Sequence, residues 1–326
     1  MKRWCLTALL SAALSAVVNL PASHAEPSGA VIGLLSGNEF DRKELAAVHK
    51  GLGETGYVEG RNVTIDYRSA EGHYDRLPAL ADALARRQVG VILAIGGTAS
   101  AVAAKAATTT VPIVFANGGD PVKVGLVASL NRPGGNVTGV SFFVTTLGPK
   151  RLEVVRELVP NLARVGYLAN PANTNVEAER ADIETAARTL GLQIHVENAP
   201  GERAFDAAFA AFKARQVGAV MVGSDAFFLS RRAQLAEIAA RHAMPAICDV
   251  REHALAGCLV SYGTDRIDAY RQGGVYAGKV LKGERPAELP VMQSIKFELV
   301  INLKTAAALG LNVPAQLIAR ADEVVE

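Results

Sequence analysis

The chain is poor in the residues that usually announce a chemistry. Of its 326 residues one is tryptophan and three are cysteine, and aromatic residues make up 6%. The strand-to-helix turn "GGTAS" carries no G-x-G-x-x-G fingerprint. In "IGGTASAVAAK" (95–105) Lys105 stands too far from Gly97, and no Ser or Thr follows it, so the stretch is not a P-loop. No G-x-S-x-G elbow, H-E-x-x-H or paired-cysteine motif occurs. His24, His49, His73, His195, His242 and His253 are scattered. These absences argue against the common nucleotide-binding, hydrolase and zinc classes. They predict a protein that is not an enzyme and carries neither cofactor nor metal. A metal held by His253 with Cys248 and Cys258 is disfavoured, because thiolate zinc sites usually show tight paired spacing.

Charge of one sign is also lacking. There are 34 basic residues against 32 acidic. The excess lies at the start, where "MKRW" precedes the uncharged run "CLTALLSAALSAVVNL" and then "PASHAEP". A basic stretch, a short apolar run and small residues at Ser23 and Ala25 are the marks of a secretory signal peptide, with cleavage expected after Ala25. Removing Lys2 and Arg3 brings the basic count down to the acidic one, 32. That balance argues against nucleic acid or an anionic membrane surface as a partner. Cys5 precedes the apolar run, which excludes a lipoprotein. No later stretch is long enough to span a membrane. Trp4 leaves with the leader. Cys248 and Cys258 remain, in an oxidising compartment that permits a disulfide; two buried thiols are an equal reading.

What the sequence has is rhythm. "AVIGLL" (30–35), "VTIDYRSA", "VGVILAI", "VPIVFAN" and "NVTGVSF" are strand-like runs, and the segments following the first two repeat leucine and valine at helical spacing (Leu45, Val48, Leu52; Leu77, Leu80, Leu84). The rhythm restarts near residue 145. Helix 148–159 leads to "RVGYLAN", helix 174–190 to "QIHVENA", helix 203–215 to "VGAVMVGSD", and helix 226–242 to "MPAICDV" and "GCLVSYG". Continuous apolar strands between helices imply parallel sheets covered on both faces. The fold class is therefore α/β, with two Rossmann-like lobes in preference to a closed eight-stranded barrel. Helix 264–282, the link "GERPAELP" and the strand "SIKFELVINL" do not fit a simple tandem and predict a multi-crossover hinge. The expected division is 1–25 signal peptide, 26–143 plus 263–285 first lobe, and 144–262 plus 286–326 second lobe.

Ligands of open parallel sheets gather at the carboxyl ends of the strands. Those ends read "SGNEF", "GGTAS", "NGGDP", "NPANTN", "GSDAFF", "DVREH" and "SYGTD". They supply neutral hydrogen-bonding groups and a few carboxylates, suited to a small polar ligand or a zwitterion. Thr98 falls at a helix start, where it either caps its own helix or helps hold an anion. Asp120-Pro121 reads as a cap followed by proline at the first helical position. Asp225 and Asp249 have the same two readings, cap or ligand contact. Arg251 is free in solvent, paired with Glu252, or aimed at a ligand carboxylate.

Taken together, "GLGETGYVEGRNVTIDYRSAEGHYDRLPALADALARRQVGVILAIGGTASAVAAK", "VPIVFANGGDPVKVGLVASLNRPGGNVTGVSF", "NPAN", "AARHAMPAICDVREHALAGCLVSYG" and "KFELVINLKTAAALGLNVPAQLIARADEVVE" strongly resemble ABC transporter substrate-binding proteins of the tryptophan/tyrosine type. The resemblance implies a type 1-like periplasmic binding protein with three crossover segments, periplasmic and monomeric. It would close two lobes on an amino acid or small carboxylate and deliver it to an ABC permease and ATPase. A sensory receptor feeding a membrane signalling protein is the alternative. By position the ligand loops fall on Ser36, Gly37 and Asn38; Gly97, Thr98, Ala99 and Ser100; Gly119, Asp120 and Pro121; Asn170 to Asn173; Ser224 and Asp225; and Asp249 to Arg251. Many relatives carry "MYGSREF" where this chain has "ICDVREH", so Cys248 and Asp249 alter one pocket wall. Asp249 makes that wall more polar, which weighs against an aromatic ligand.

Overall fold

The computed structural model describes residues 29–293 and 296–326. The expected leader and its cleavage site lie outside the described residues. Among the described residues thirteen strands alternate with helices. In chain order they are β1 (Ala30–Ser36), β2 (Val63–Ser69), β3 (Val91–Ile95), β4 (Ile113–Asn117), β5 (Val137–Ser141), β6 (Arg164–Ala169), β7 (Gln193–Asn198), β8 (Ala219–Val222), β9 (Ala246–Cys248), β10 (Val260–Thr264), β11 (Met292–Gln293), β12 (Phe297–Asn302) and β13 (Glu323–Val325). The helices that position the site are α1 (Arg42–Glu54), α2 (Leu77–Arg86), α3 (Thr98–Ala107), α4 (Gly148–Leu158), α5 (Val176–Leu190), α6 (Phe205–Ala214), α7 (Ala226–Ser230), α8 (Arg232–Arg241), α9 (Arg251–Ala256) and α10 (Arg266–Leu281).

One sheet has the order β11-β5-β4-β3-β1-β2 and the other β13-β12-β10-β9-β8-β6-β7. All pairs are parallel except β10 with β12. β3, β4, β5 and β8 are buried along their whole length because helices cover both faces. Each lobe thus has two apolar layers. In the first lobe one layer centres on Ile32, Leu93, Val114 and Tyr276. The opposite layer centres on Leu77, Leu84, Ile92 and Phe115. α10 crosses back to pack on α1, and glycine makes this approach possible. A Cβ added at Gly51 would lie 1.9 Å from the Arg271 carbonyl oxygen, and one at Gly274 would lie 2.3 Å from that of Val48.

The division of the chain differs from the expected one at the second and third crossings. β10 runs to Thr264 within the second sheet, and β11 pairs with β5 in the first. The first lobe's returning segment therefore spans 266–293, not 263–285. The reason is that the proline-containing link is tied to the first lobe. Thr138 Oγ1 donates to Leu289 O (2.6 Å), Tyr276 Oη to Pro290 O (2.9 Å) and Val291 N to Leu130 O (2.8 Å). Helix 226–242 is also interrupted, at Arg231, into α7 and α8, and "REHALA" is the helix α9. Cys248 and Cys258 form a disulfide that brackets α9. At the first crossing Phe143 adopts φ 45°, a left-handed conformation costly for an aromatic residue and common at hinges and functional sites.

Candidate functional site

The strand ends of the two sheets face each other across a cavity of about 330 Å³. That is at the small end of the ~300–1,000 Å³ usual for small-molecule sites. Two glycines with positive φ, Gly96 (65°) and Gly97 (112°), turn the chain from β3 into α3. Gly97 is the N-cap and Thr98 the first helical residue, so the expected capping role of Thr98 is corrected. Its backbone is already helical, and its hydroxyl accepts from Asn175 Nδ2 across the cleft at 2.8 Å. A second bridge joins the lobes at Tyr74. Its hydroxyl donates to Asp225 Oδ2 (3.3 Å) and accepts from Phe227 N (3.2 Å). Gly119 must lack a side chain here, because a Cβ would lie 2.6 Å from both Thr98 Oγ1 and Asn175 Oδ1.

Of the residues expected at the site, Asn38, Gly97, Thr98, Ala99, Gly119, Asn173, Ser224, Asp225 and Asp249 line this cavity. Val250 lines it as well, whereas Pro121, Pro171, Ala172 and six others do not. Ser36 is buried beneath it, its hydroxyl accepting from Asn38 N (3.2 Å). Gly37 packs against Gly96, and Ser100 is fully buried with its hydroxyl unpartnered. Asp120 caps the following turn, Oδ1 accepting from Val122 N (2.9 Å) and Lys123 N (3.1 Å). Asn170 acts from behind the wall, donating to Asp225 Oδ1 at 3.2 Å. Arg251 points away and pairs with Glu323 (2.8 Å), neither with Glu252 nor towards the cleft.

Several lining residues were not among the expected ones. Tyr74 follows β2, and reading the end of that strand as the ends of β1, β3 and β4 were read would have found it. Phe142 and Val144 come from the first crossing, Arg266 and Tyr270 from α10. Only the crossing topology brings these last two to the cleft.

Charge at the site is arranged in buried groups. Arg151 and Glu179 pair with both side chains inaccessible. Arg151 also donates to Ser224 Oγ (2.9 Å) and Val144 O (2.6 Å), while Glu179 accepts from Ser224 N (3.0 Å) and Tyr167 Oη (2.9 Å). Arg266 bonds Glu44 and, at 3.2 Å, Glu252. Burial pushes Asp225 up to about 6 against the bonds from Asn170, Phe228 and Tyr74. Burial likewise pushes Asp249 up to about 6, opposed by Arg151 and Arg266. Both carboxylates are charged at pH 7.

His253 lies beneath Asp249 with both ring nitrogens unpartnered, and burial pushes it down to about 3. Its ligand atom lies within 4.8 Å of both Cys248 and Cys258, whose sulfurs the disulfide occupies. Two orphaned nitrogens make this imidazole a liability. His253→Leu is expected to raise stability by about 1–3 kcal/mol at pH 7. The sign with pH follows from the lowered value. Below about 6.5 the unfolded imidazole takes a proton that the folded one refuses until about 3, so the native chain loses stability as pH falls. The advantage of His253→Leu should therefore grow by about 1.4 kcal/mol per pH unit below 6. Urea denaturation at pH 7 and pH 5 measures both; an equal or less stable variant at pH 5 contradicts the account.

Two mostly parallel α/β lobes, crossed three times and bonded to each other over a cavity at their strand ends, have the two-lobed fold of type 1 periplasmic binding proteins. The chain belongs to the family described as ABC transporter substrate binding protein, whose sequence model matches residues 29–325. A curated "Tyrosine-binding protein" of Clostridioides difficile (strain R20291) is 27% identical over 262 residues, 80% of this chain and 75% of that protein. The ABC domain from Streptococcus pneumonia in complex with L-Trp is 26% identical, with a TM-score of 0.82 over 91% of this chain and all of that one. A ligand-free, open substrate binding protein with adhesive properties from Clostridium difficile is 25% identical over 91% of this chain and 99% of that one, with a TM-score of 0.65. The better agreement with the ligand-holding structure accords with the bonds that join the lobes here.

Proposed function

We propose that this chain is exported, captures an amino acid between its lobes and delivers it to an ABC permease and its ATPase. One observation carries the choice of ligand. The cleft sets the N-terminus of α3 on one lobe beside the carboxylate of Asp225 on the other, with Ala226 against Gly97. The first N–H groups of a helix attract an anion, and a buried carboxylate attracts an ammonium. The pair complements the two ends of a zwitterion. Gly97, Thr98 and Ala99 receive the ligand carboxylate, and Asp225 with Asn173 receives its ammonium. Contacts to both lobes at once favour the closed form over the open one. The relatives named for tyrosine and bound to L-Trp support an amino acid, and the family supports an extracytoplasmic receptor rather than an enzyme.

A thermal-shift screen of the standard amino acids and small carboxylates tests the reading. A ligand at about a hundred times its Kd adds about 2.7 kcal/mol to the folded state and raises the melting temperature. At least one amino acid should do so. A screen in which no amino acid shifts the transition rejects this ligand class.

A further inference from the structure

Asp249 differs from Asp225 in a way the receptor reading does not use. Asp225 has protein donors on both oxygens, two on Oδ1 from Asn170 Nδ2 and Phe228 N and one on Oδ2 from Tyr74, which leaves Oδ2 able to accept once more. Asp249 also forms part of the cavity wall and is 6% exposed, yet no side chain bonds its carboxylate: Oδ1 is sealed beneath the wall without a partner, which leaves Oδ2 to meet what enters the cavity. The sealed Oδ1 lies 3.4 Å from His253 Nε2 without a hydrogen bond between them. A buried carboxylate without a donor is costly, and such a group in a binding cleft is matched by what the ligand brings.

Its surroundings say which part of the ligand that is. Asp249 follows β9, one strand over from Asp225, which follows β8. Neighbouring strands lie about 4.8 Å apart. The wall next to it is apolar and aromatic: Phe142, Val144, Val250 and Tyr270 form one cluster, with Phe40 and Leu229 packed on it. Phe142 and Tyr270 meet edge to face, their centroids 6.3 Å apart. With the zwitterion held between α3 and Asp225, the ligand's side chain enters this compartment.

We propose that Asp249 selects a ligand whose side chain carries a hydrogen-bond donor at its far end, a phenol or an amine, and rejects the hydrocarbon of the same shape. Resting on the amino-acid reading, the proposal adds the substrate class within it. The asymmetry is physical. A site built to hydrogen-bond a polar group rejects the analogue lacking it far more strongly than an apolar pocket rejects an added hydroxyl, because the buried polar atom is left unpaired.

Titration calorimetry on the full mature chain tests it with two matched pairs, tyrosine against phenylalanine and lysine against norleucine. In one pair the donor-bearing member should bind at least about a hundredfold more tightly. Tyrosine as the preferred ligand identifies a neutral donor; lysine identifies a cation. In Asp249→Ala the preference should shrink to within about threefold. Asp249→Asn keeps the shape and an acceptor, and should retain part of it. The thermal transition of each variant, read without ligand, confirms that it folds. Hydrocarbon members binding as tightly as their partners, or a preference that survives in Asp249→Ala, overturns the proposal and leaves the amino-acid reading standing. Absence of binding by all four and by the wider amino-acid panel rejects the amino-acid reading, and this proposal with it.

Discussion

Arg151→Leu is expected to cost about 3–5 kcal/mol of folding stability, the range for removing one partner of a buried ion pair. The arginine is 0% exposed and makes bonds to Ser224, Val144 and Glu179. Without it Glu179, already pushed up by burial, keeps only the donors Tyr167 and Ser224. The charge left behind, not the loss of attraction, dominates the cost. Arg151→Leu/Glu179→Leu should therefore recover part of the loss, because a buried pair replaced by apolar residues is often nearly neutral. The penalty of the single variant should shrink at low pH, where protonation of Glu179 removes the uncompensated charge. Urea denaturation of the two variants and the parent measures all three effects. A single variant within about 1 kcal/mol of the parent would refute the account.

The same network explains why its members went unseen in the sequence. Arg151 and Glu179 stand on α4 and α5, in runs that read as ordinary amphipathic helices with solvated charges. Burial of both depends on the two helices packing side by side, α4 against β8 and α5 against β7, a tertiary fact with no local signature. Asn175 and Thr98 are a similar case. A threonine after two glycines reads as a cap, but the cap is Gly97, whose φ of 112° is open to glycine and strained for other residues. The hydroxyl thus freed bonds a residue 77 positions away.

What could be read was periodic or topological. Apolar runs separated by amphipathic helices marked the parallel lobes, since strands covered on both faces have no polar positions. The carboxyl-end rule found Asn38, Thr98, Asn173, Ser224, Asp225 and Asp249. It also selected Asp120 and Arg251, which occupy strand ends but satisfy themselves locally, one as a turn cap and one through Glu323. The short strands β11 and β13 escaped notice because two or three residues carry no period. The pairing of β11 with β5 shifts the lobe boundary.

Asp225→Asn should weaken binding of the amino-acid ligand by about a hundredfold or more. Removing one member of a buried, hydrogen-bonded charge pair costs about 2–5 kcal/mol of affinity, and each 1.4 kcal/mol is tenfold. The substitution is nearly isosteric, and its amide oxygen can still accept from Phe228 N, which caps α7. What it loses is the charge facing the ligand ammonium. With its amide oxygen kept on Phe228 N and Asn170 Nδ2, its amide nitrogen takes the place of Oδ2 and donates to the Tyr74 hydroxyl, reversing that bridge. Stability and affinity should consequently separate. The melting temperature without ligand stays near that of the parent or rises, because burial penalises the ionised carboxylate. Affinity falls at pH 7, and the gap between parent and variant narrows below about pH 6, where the parent's Asp225 takes up a proton and loses the charge that the variant never had. The carboxyl is held there by α7, by Asn170 beside β6 and by Tyr74 from the first lobe, so no nearby basic side chain among its bonded partners masks the change. Calorimetric titration of both proteins at pH 7 and pH 5 reads the two shifts. Affinities that match at pH 7 would move the ammonium away from Asp225 and leave Asp249 as the carboxylate of the cleft that the ligand requires.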